Sequence, residues 1–139
     1  MDILVLIGRI MFAFVFLTSG WAHFTKRQMM SQFAGSKKVP APMVAVLAGG
    51  VLLLAGGISI LFGIWADLGA LLLVLFLVPT AVFMHGFWGE SDPQARMMEM
   101  NQFSKDLGLA GAALMLFALI SYAGDDLGLT ITGPLFTLR

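Results

Sequence analysis

No cysteine occurs among the 139 residues. That absence excludes disulfides, thiolate metal sites, iron–sulfur clusters held by this chain and thiol redox chemistry of its own. Charge is equally scarce. Only 12% of residues are Asp, Glu, Lys or Arg, and eight basic side chains balance eight acidic ones. A chain with no net charge sets up no bulk field for nucleic acid or acidic partners, and no nucleic-acid motif is present. A phosphate-binding Gly-rich loop, a dinucleotide fingerprint and a catalytic triad are missing as well. The N-terminal "MDILVLIGRIMF" lacks the basic start and small-residue cleavage site of a secretory leader, so it reads as a retained first span.

What is abundant is apolar surface. Hydrophobic residues make up 59% of the chain and the mean hydropathy is +0.93, against about 45–50% apolar residues in soluble domains. A water-soluble fold of this size cannot hide so much apolar area, so lipid must form part of its surroundings. Crossing the hydrocarbon core takes about 20 mostly apolar residues in a helix. Four windows qualify: Ile3–Ala22, Met43–Ile64, Leu68–Met84 and Leu107–Gly124. Lipid offers no partner for backbone N–H and C=O groups, which requires helices here. The expected architecture is an all-α, four-helix membrane bundle forming one domain over residues 1–139.

Spans two and three are separated by a few residues around Trp65–Asp67 and form a tight antiparallel hairpin. The other two connections are longer and read as short membrane-surface helices. In the second, Asp92 is placed to cap a helix with Pro93 at its first position. The same two connections carry Lys26, Arg27, Lys37, Lys38, Arg96 and Lys105, whereas the other side offers only Arg139 outside the spans. The positive-inside rule therefore puts the long connections in the cytoplasm and both termini outside. After span four, Leu127, Leu129 and Ile131 alternate with small or polar residues. This pattern predicts an extended flap, residues 125–139, over the outer end of the bundle.

Several residues stand out against the apolar background. Arg9 sits inside the first span, where a charge at the bilayer centre costs about 2.5–3.5 kcal/mol on insertion scales. It must meet an aspartate (Asp2, Asp67 or Asp125 on the same side) or hold an anionic or carbonyl ligand. His23 closes span one, His85 closes span three, and Lys105 with Asp106 opens span four. Antiparallel topology brings these four to one depth, where a histidine beside a lysine–carboxylate pair can relay protons or bind a polar headgroup. Anchoring at the lipid–water boundary is the plainer use of His, Trp and Lys at such positions. Glycines at 49, 56 and 63 share one face of span two, the pattern of close helix packing in lipid, against another span or another copy. Pro79 removes the N–H partner of the Leu75 carbonyl and can open a crevice. Haem ligation by the two histidines rests on depth alone, and Cu(I) ligation by Met97 and Met100 competes with their use as apolar filler. No metal site is expected.

The segments "GRIMFAFVFLTSGWAHF", "GGISILFGI", "HGFW", "MNQFSKDLGLAGAAL" and "TGPLFTLR", in this order and spacing, resemble the DoxX family of small bacterial membrane proteins over nearly the whole chain. The resemblance implies a four-helix bundle in the bacterial inner membrane. It also implies an association with electron transfer, since the name-giving relatives are similar to a subunit of a thiosulfate:quinone oxidoreductase. Arg9, Gly20, His85, Phe87–Trp88, Phe103 and Lys105 match the family pattern. His23 stands where lysine is frequent, Asp106 where asparagine is frequent, and Leu53 where many members carry glutamate. A quinone site here must therefore use the arginine and histidines without that carboxylate. The ligand-binding candidates are Arg9, His23, His85, Trp88, Lys105 and Asp106.

The function expected is an accessory membrane subunit of a quinone-linked redox complex, with no intrinsic cofactor and no autonomous catalysis. A membrane oxidoreductase is its expected partner, and a homo-oligomer is also open. The alternatives are an assembly protein that recruits a partner through the glycine face of span two, and a small-solute carrier.

Overall fold

The computed structural model describes residues 1–138, so Arg139 and its place in the charge balance lie outside the described residues. Among them the chain forms five α-helices: α1 Asp2–Thr25, α2 Arg27–Ser36, α3 Pro42–Phe62, α4 Ala66–Met84 and α5 Pro93–Ala123. No strand occurs among the described residues. Helices α1, α3, α4 and α5 are each long and apolar enough to cross a membrane. The fold is an all-α membrane bundle.

α1 packs on α3, α3 on α4, and α4 on α5, while the short α2 folds back against α3. Phe16, Leu53, Ile60, Ala70, Leu73, Leu77, Ala110 and Ala113 form the shared core. Outside it, Met11, Phe14, Phe83, Met115 and Leu119 stay about two-thirds exposed, a lipid-facing coat that water would not tolerate over this extent.

The glycines of α3 decide how closely its neighbours approach. A Cβ on Gly56 would stand 2.7 Å from Leu73 Cγ and 2.9 Å from the Gly69 carbonyl of α4, and one on Gly49 would stand 2.8 Å from the Phe76 ring. Gly50 and Gly57 serve α1 in the same way, against Phe24 and Leu17. The alternative in which the glycine face recruits a partner thus loses its surface, because the chain's own helices cover it.

α5 is a single helix of 31 residues. The surface helix expected in the last connection does not stop before span four but runs into it. Asp92 caps it through Oδ2, which accepts from the Ala95 N–H at 2.8 Å, and Pro93 opens the first turn. At about 1.5 Å per residue the helix exceeds a hydrocarbon core of about 30 Å. Its polar first part, before Leu107, therefore projects beyond the apolar layer.

At the opposite end the turn between α3 and α4 is tight. Gly63 ends α3 at φ +65°, the left-handed conformation that lacks steric penalty for glycine. The free carbonyls of α3 then find partners one by one. Ser59 O accepts from Gly63 and Ile64 N–H, Ile60 O and Leu61 O accept from Arg9, and Phe62 O and Gly63 O accept from Ile131 and Thr132 N–H. The tail after α5 is what supplies the last of these. It forms bends where the sequence pattern predicted extended chain, and its Phe136 N–H donates to the buried Asp67 carboxylate at 2.6 Å.

Candidate functional site

A cavity of about 690 Å³ opens between α1, α2, α3, α4 and the start of the α5 span. Its apolar walls include Met30, Phe33, Leu52, Leu75, Phe76 and Phe83. Pro79 and Thr80 belong to the same wall, so the position that frees the Leu75 carbonyl lies beside the hollow. Four ionisable residues are among its lining, His23, His85, Lys105 and Asp106, of which the last three lie close together. They come from the end of α1, the end of α4 and the middle of α5, which alternating helix direction carries to a common level.

His23 is 8% exposed. Its Nδ1 lies 2.8 Å from the Ser19 carbonyl, one turn earlier in α1, and its ring meets Phe76 edge-on at 5.5 Å. His85 sits between two carboxylates. Nδ1 is 2.8 Å from Glu99 Oε2, and Nε2 is 3.8 Å from Asp106 Oδ2. The second oxygen of Glu99 takes an ion pair from Lys37 at 2.7 Å. Asp106, 6% exposed, also has Lys105 Nζ at 3.7 Å from Oδ1, while that ammonium donates to Gln102 Oε1 at 2.5 Å. Lys37–Glu99–His85–Asp106–Lys105 therefore forms one run of ionisable side chains that ties the α2–α3 connection, the end of α4 and α5 together beside the cavity.

Glu99 occupies the projecting first part of α5. Burial alone would raise its carboxyl, but hydrogen bonds from Lys37 and His85, with the positive charge behind them, outweigh this and hold it below the usual carboxylate range. Neither Glu99 nor Lys37 was among the residues singled out from the sequence. Glu99 stands seven residues before Asp106, two turns down the same helix face. That spacing was the available signal.

Two of the other candidates stand elsewhere. Trp88 is exposed and packs on Phe87 and Phe103 with ring centroids 5.6 and 6.0 Å apart, outside the cavity lining. Arg9 lies 14 residues from His23 along α1, about 21 Å at helical rise, and does not meet the polar cluster. Its side chain is buried at 3% exposure, with Nε on Ile60 O, Nη2 on Leu61 O and Nη1 on Leu129 O, each at 2.8 Å. Its hydrogen-bond partners are three carbonyls. Ile60 O and Leu61 O lie at the negative end of the α3 dipole, Leu129 O belongs to the tail, and all three accept charge-assisted bonds.

A four-span helical bundle with a largely apolar cavity that several ionisable side chains line defines the class: a small multi-pass membrane protein. Residues 4–86, more than half of the chain, match the family model for DoxX, and the chain belongs to the DoxX family. It is similar to the inner membrane protein YphA of Escherichia coli K12, at 29% identity over 114 residues covering 82% of this chain and 81% of that protein. No solved structure matches. The four apolar helices and this relative together make the chain a protein of the inner membrane.

Proposed function

We propose that the protein is an accessory membrane subunit of a quinone-linked redox complex and that its cavity receives the quinone headgroup. The observation that carries this reading is the composition of the cavity. Its walls are largely apolar and aromatic, and His85, Lys105 and Asp106, which stand close to one another, lie among its lining residues with His23. Sites for amphiphilic small molecules combine about 300–1,000 Å³ of mostly apolar volume with a few placed polar groups, and both conditions are met. The resemblance to relatives of a quinone-reducing enzyme supplies the redox context.

The chain's own contribution is binding and proton handling. No side chain here stores an electron without a cofactor, so electron transfer belongs to the partner. His85 stands between Glu99 and Asp106 with one ring nitrogen toward each, the arrangement through which an imidazole can pass a proton. Lys105, at the exposed edge, offers a donor to a headgroup entering from the boundary. Arg9 closes the far end of the bundle.

The test is a titration of the full chain in lipid nanodiscs with short-chain decylubiquinone, read by tryptophan quenching. Saturable binding that weakens in Lys105→Gln and His85→Gln supports the reading. Absence of saturable binding by a correctly folded protein contradicts it.

A further inference from the structure

We infer that α2 is a lid over the cavity, hinged at its two ends and latched shut by the ion pair between Lys37 and Glu99. The lid governs access to the hollow whatever molecule enters it, and so stands apart from the quinone reading.

α2 forms part of the cavity wall through Met29, Met30 and Phe33, yet little fastens it. It is ten residues long, buries only Ser31 and Ala34, and has no side-chain cap at its N-terminus. Its packing is mainly on α3. The hydroxyls of Ser31 and Ser36 turn back to carbonyls of α2 itself, at Gln28 and Phe33. Among the described residues, positions 28–41 send one side-chain hydrogen bond to another helix. Lys37 Nζ donates it to Glu99 Oε1 at 2.7 Å. A short helix with few buried contacts and a single polar tie belongs to the part of a fold that opens first.

The tie is placed to hold that helix. Lys37 is the C-cap of α2, and its ammonium also lies 5.6 Å from the centroid of the Phe33 ring, within cation–π range. One cation thus joins a cavity-wall residue of α2 to a carboxylate of α5. The two side chains are only 23% and 16% exposed, so the pair is stronger than one in open solvent.

Hinges flank the helix. A single residue, Lys26, separates α1 from α2. On the other side Lys38, at φ +62°, and Ala41, at φ +46°, take the left-handed conformation that residues with a Cβ rarely adopt. Such backbone persists where its surroundings hold it, and the Lys37 tie, next to Lys38, supplies a hold. Its release lets the connection relax and α2 swing away from α3. Positions at the ends of elements are where lids absorb their change in φ and ψ.

The experiment reads opening without a ligand. The chain has no cysteine, so Val46→Cys creates a single thiol. Val46 is buried, lines the cavity and stands one turn into α3, the helix on which α2 rests. With the full chain in nanodiscs, its labelling by a small water-soluble maleimide should be slow. Lys37→Gln should accelerate it about tenfold, the factor expected when a charged hydrogen bond is lost, and Lys37→Arg should return it close to the parent rate. Ala113→Cys, fully buried and outside the cavity lining, should stay slow in every background. Amide hydrogen exchange of the cysteine-free chain provides a second reading: in Lys37→Gln it should accelerate in α2 and not in α3 or α4. Fast labelling of Val46→Cys in the parent, or no acceleration by Lys37→Gln, overturns the lid. Equal acceleration at position 113 means general loosening and overturns it too. Failure of Lys37→Arg to slow the labelling overturns the ion pair as the latch. None of these outcomes bears on the quinone titration, which stands or fails by itself.

Discussion

Arg9 Nη1 donates to the Leu129 carbonyl at 2.8 Å, joining the start of the first helix to the tail 120 residues later. The same guanidinium holds Ile60 O and Leu61 O, so one side chain closes the end of α3 and fastens the tail across it. In lipid, an unmet carbonyl has no water to turn to.

Arg9→Leu should therefore destabilise the bundle by about 3 kcal/mol or more, since each buried acceptor left unmet costs about 1–3 kcal/mol. Thermal unfolding in detergent should show it, and hydrogen exchange at Ile131 and Thr132 should accelerate first. Arg9→Lys should recover part of the loss, because an ammonium keeps the charge without the planar fork. An Arg9→Leu protein as stable as the parent would show that the clamp is idle.

Gly56 and Gly111 predict opposite outcomes for the same substitution. A Cβ at Gly56 collides with Leu73 and the Gly69 carbonyl, whereas one at Gly111 meets nothing within 4 Å. Gly56→Ala should cost about 1–3 kcal/mol through overpacking. Gly111→Ala should be neutral or gain up to about 1 kcal/mol from lower backbone entropy in the unfolded chain. The measurement is the pair of melting temperatures in one detergent.

The Glu99 junction predicts a pH dependence with a definite sign. Its folded-state carboxyl lies below the ordinary range, so the stability it adds is present above the unfolded pKa of about 4.3. That contribution is lost as pH falls through the folded value. Melting followed from pH 7 to pH 3 should drop across this interval in the parent. In Glu99→Gln, less stable at neutral pH, the drop should be smaller. Identical profiles would disconnect the Lys37–Glu99–His85 chain from stability.

Orientation can be read directly because no native cysteine interferes with single-cysteine labelling. Lys26→Cys and Gly89→Cys should react with an impermeant reagent only from the cytoplasmic side, and Thr137→Cys only from outside. Positions 26 and 89 reacting from opposite sides would dissolve the grouping of His23 with His85.

The four spans were legible because lipid demands long unbroken apolar runs, a signal hydropathy reads directly. The ends of three apolar runs brought His23, His85, Lys105 and Asp106 into view for the same reason, and all four line the cavity. The partners of Arg9 were not legible. Backbone carbonyls exist at every residue, so nothing in "GRI" or "ISILFG" announces that one will serve the other. The pairing of Lys37 with Glu99 was not legible because it depends on α2 folding back against α3. The continuity of α5 was hidden too, since a helix on the surface and a helix entering the bilayer share one periodicity.

A quinone headgroup in the hollow lined by His23 and His85, as we propose, can be looked for directly. Ala48 lines it and is otherwise exposed, so Ala48→Trp should fill it without disturbing the core. The most direct measurement is organic extraction of protein purified from membranes in mild detergent, with quinone quantified by mass spectrometry for both forms. Quinone should approach one per chain in the parent and be lost in Ala48→Trp at unchanged melting temperature. Equal quinone in the two proteins, or none in either, would contradict it.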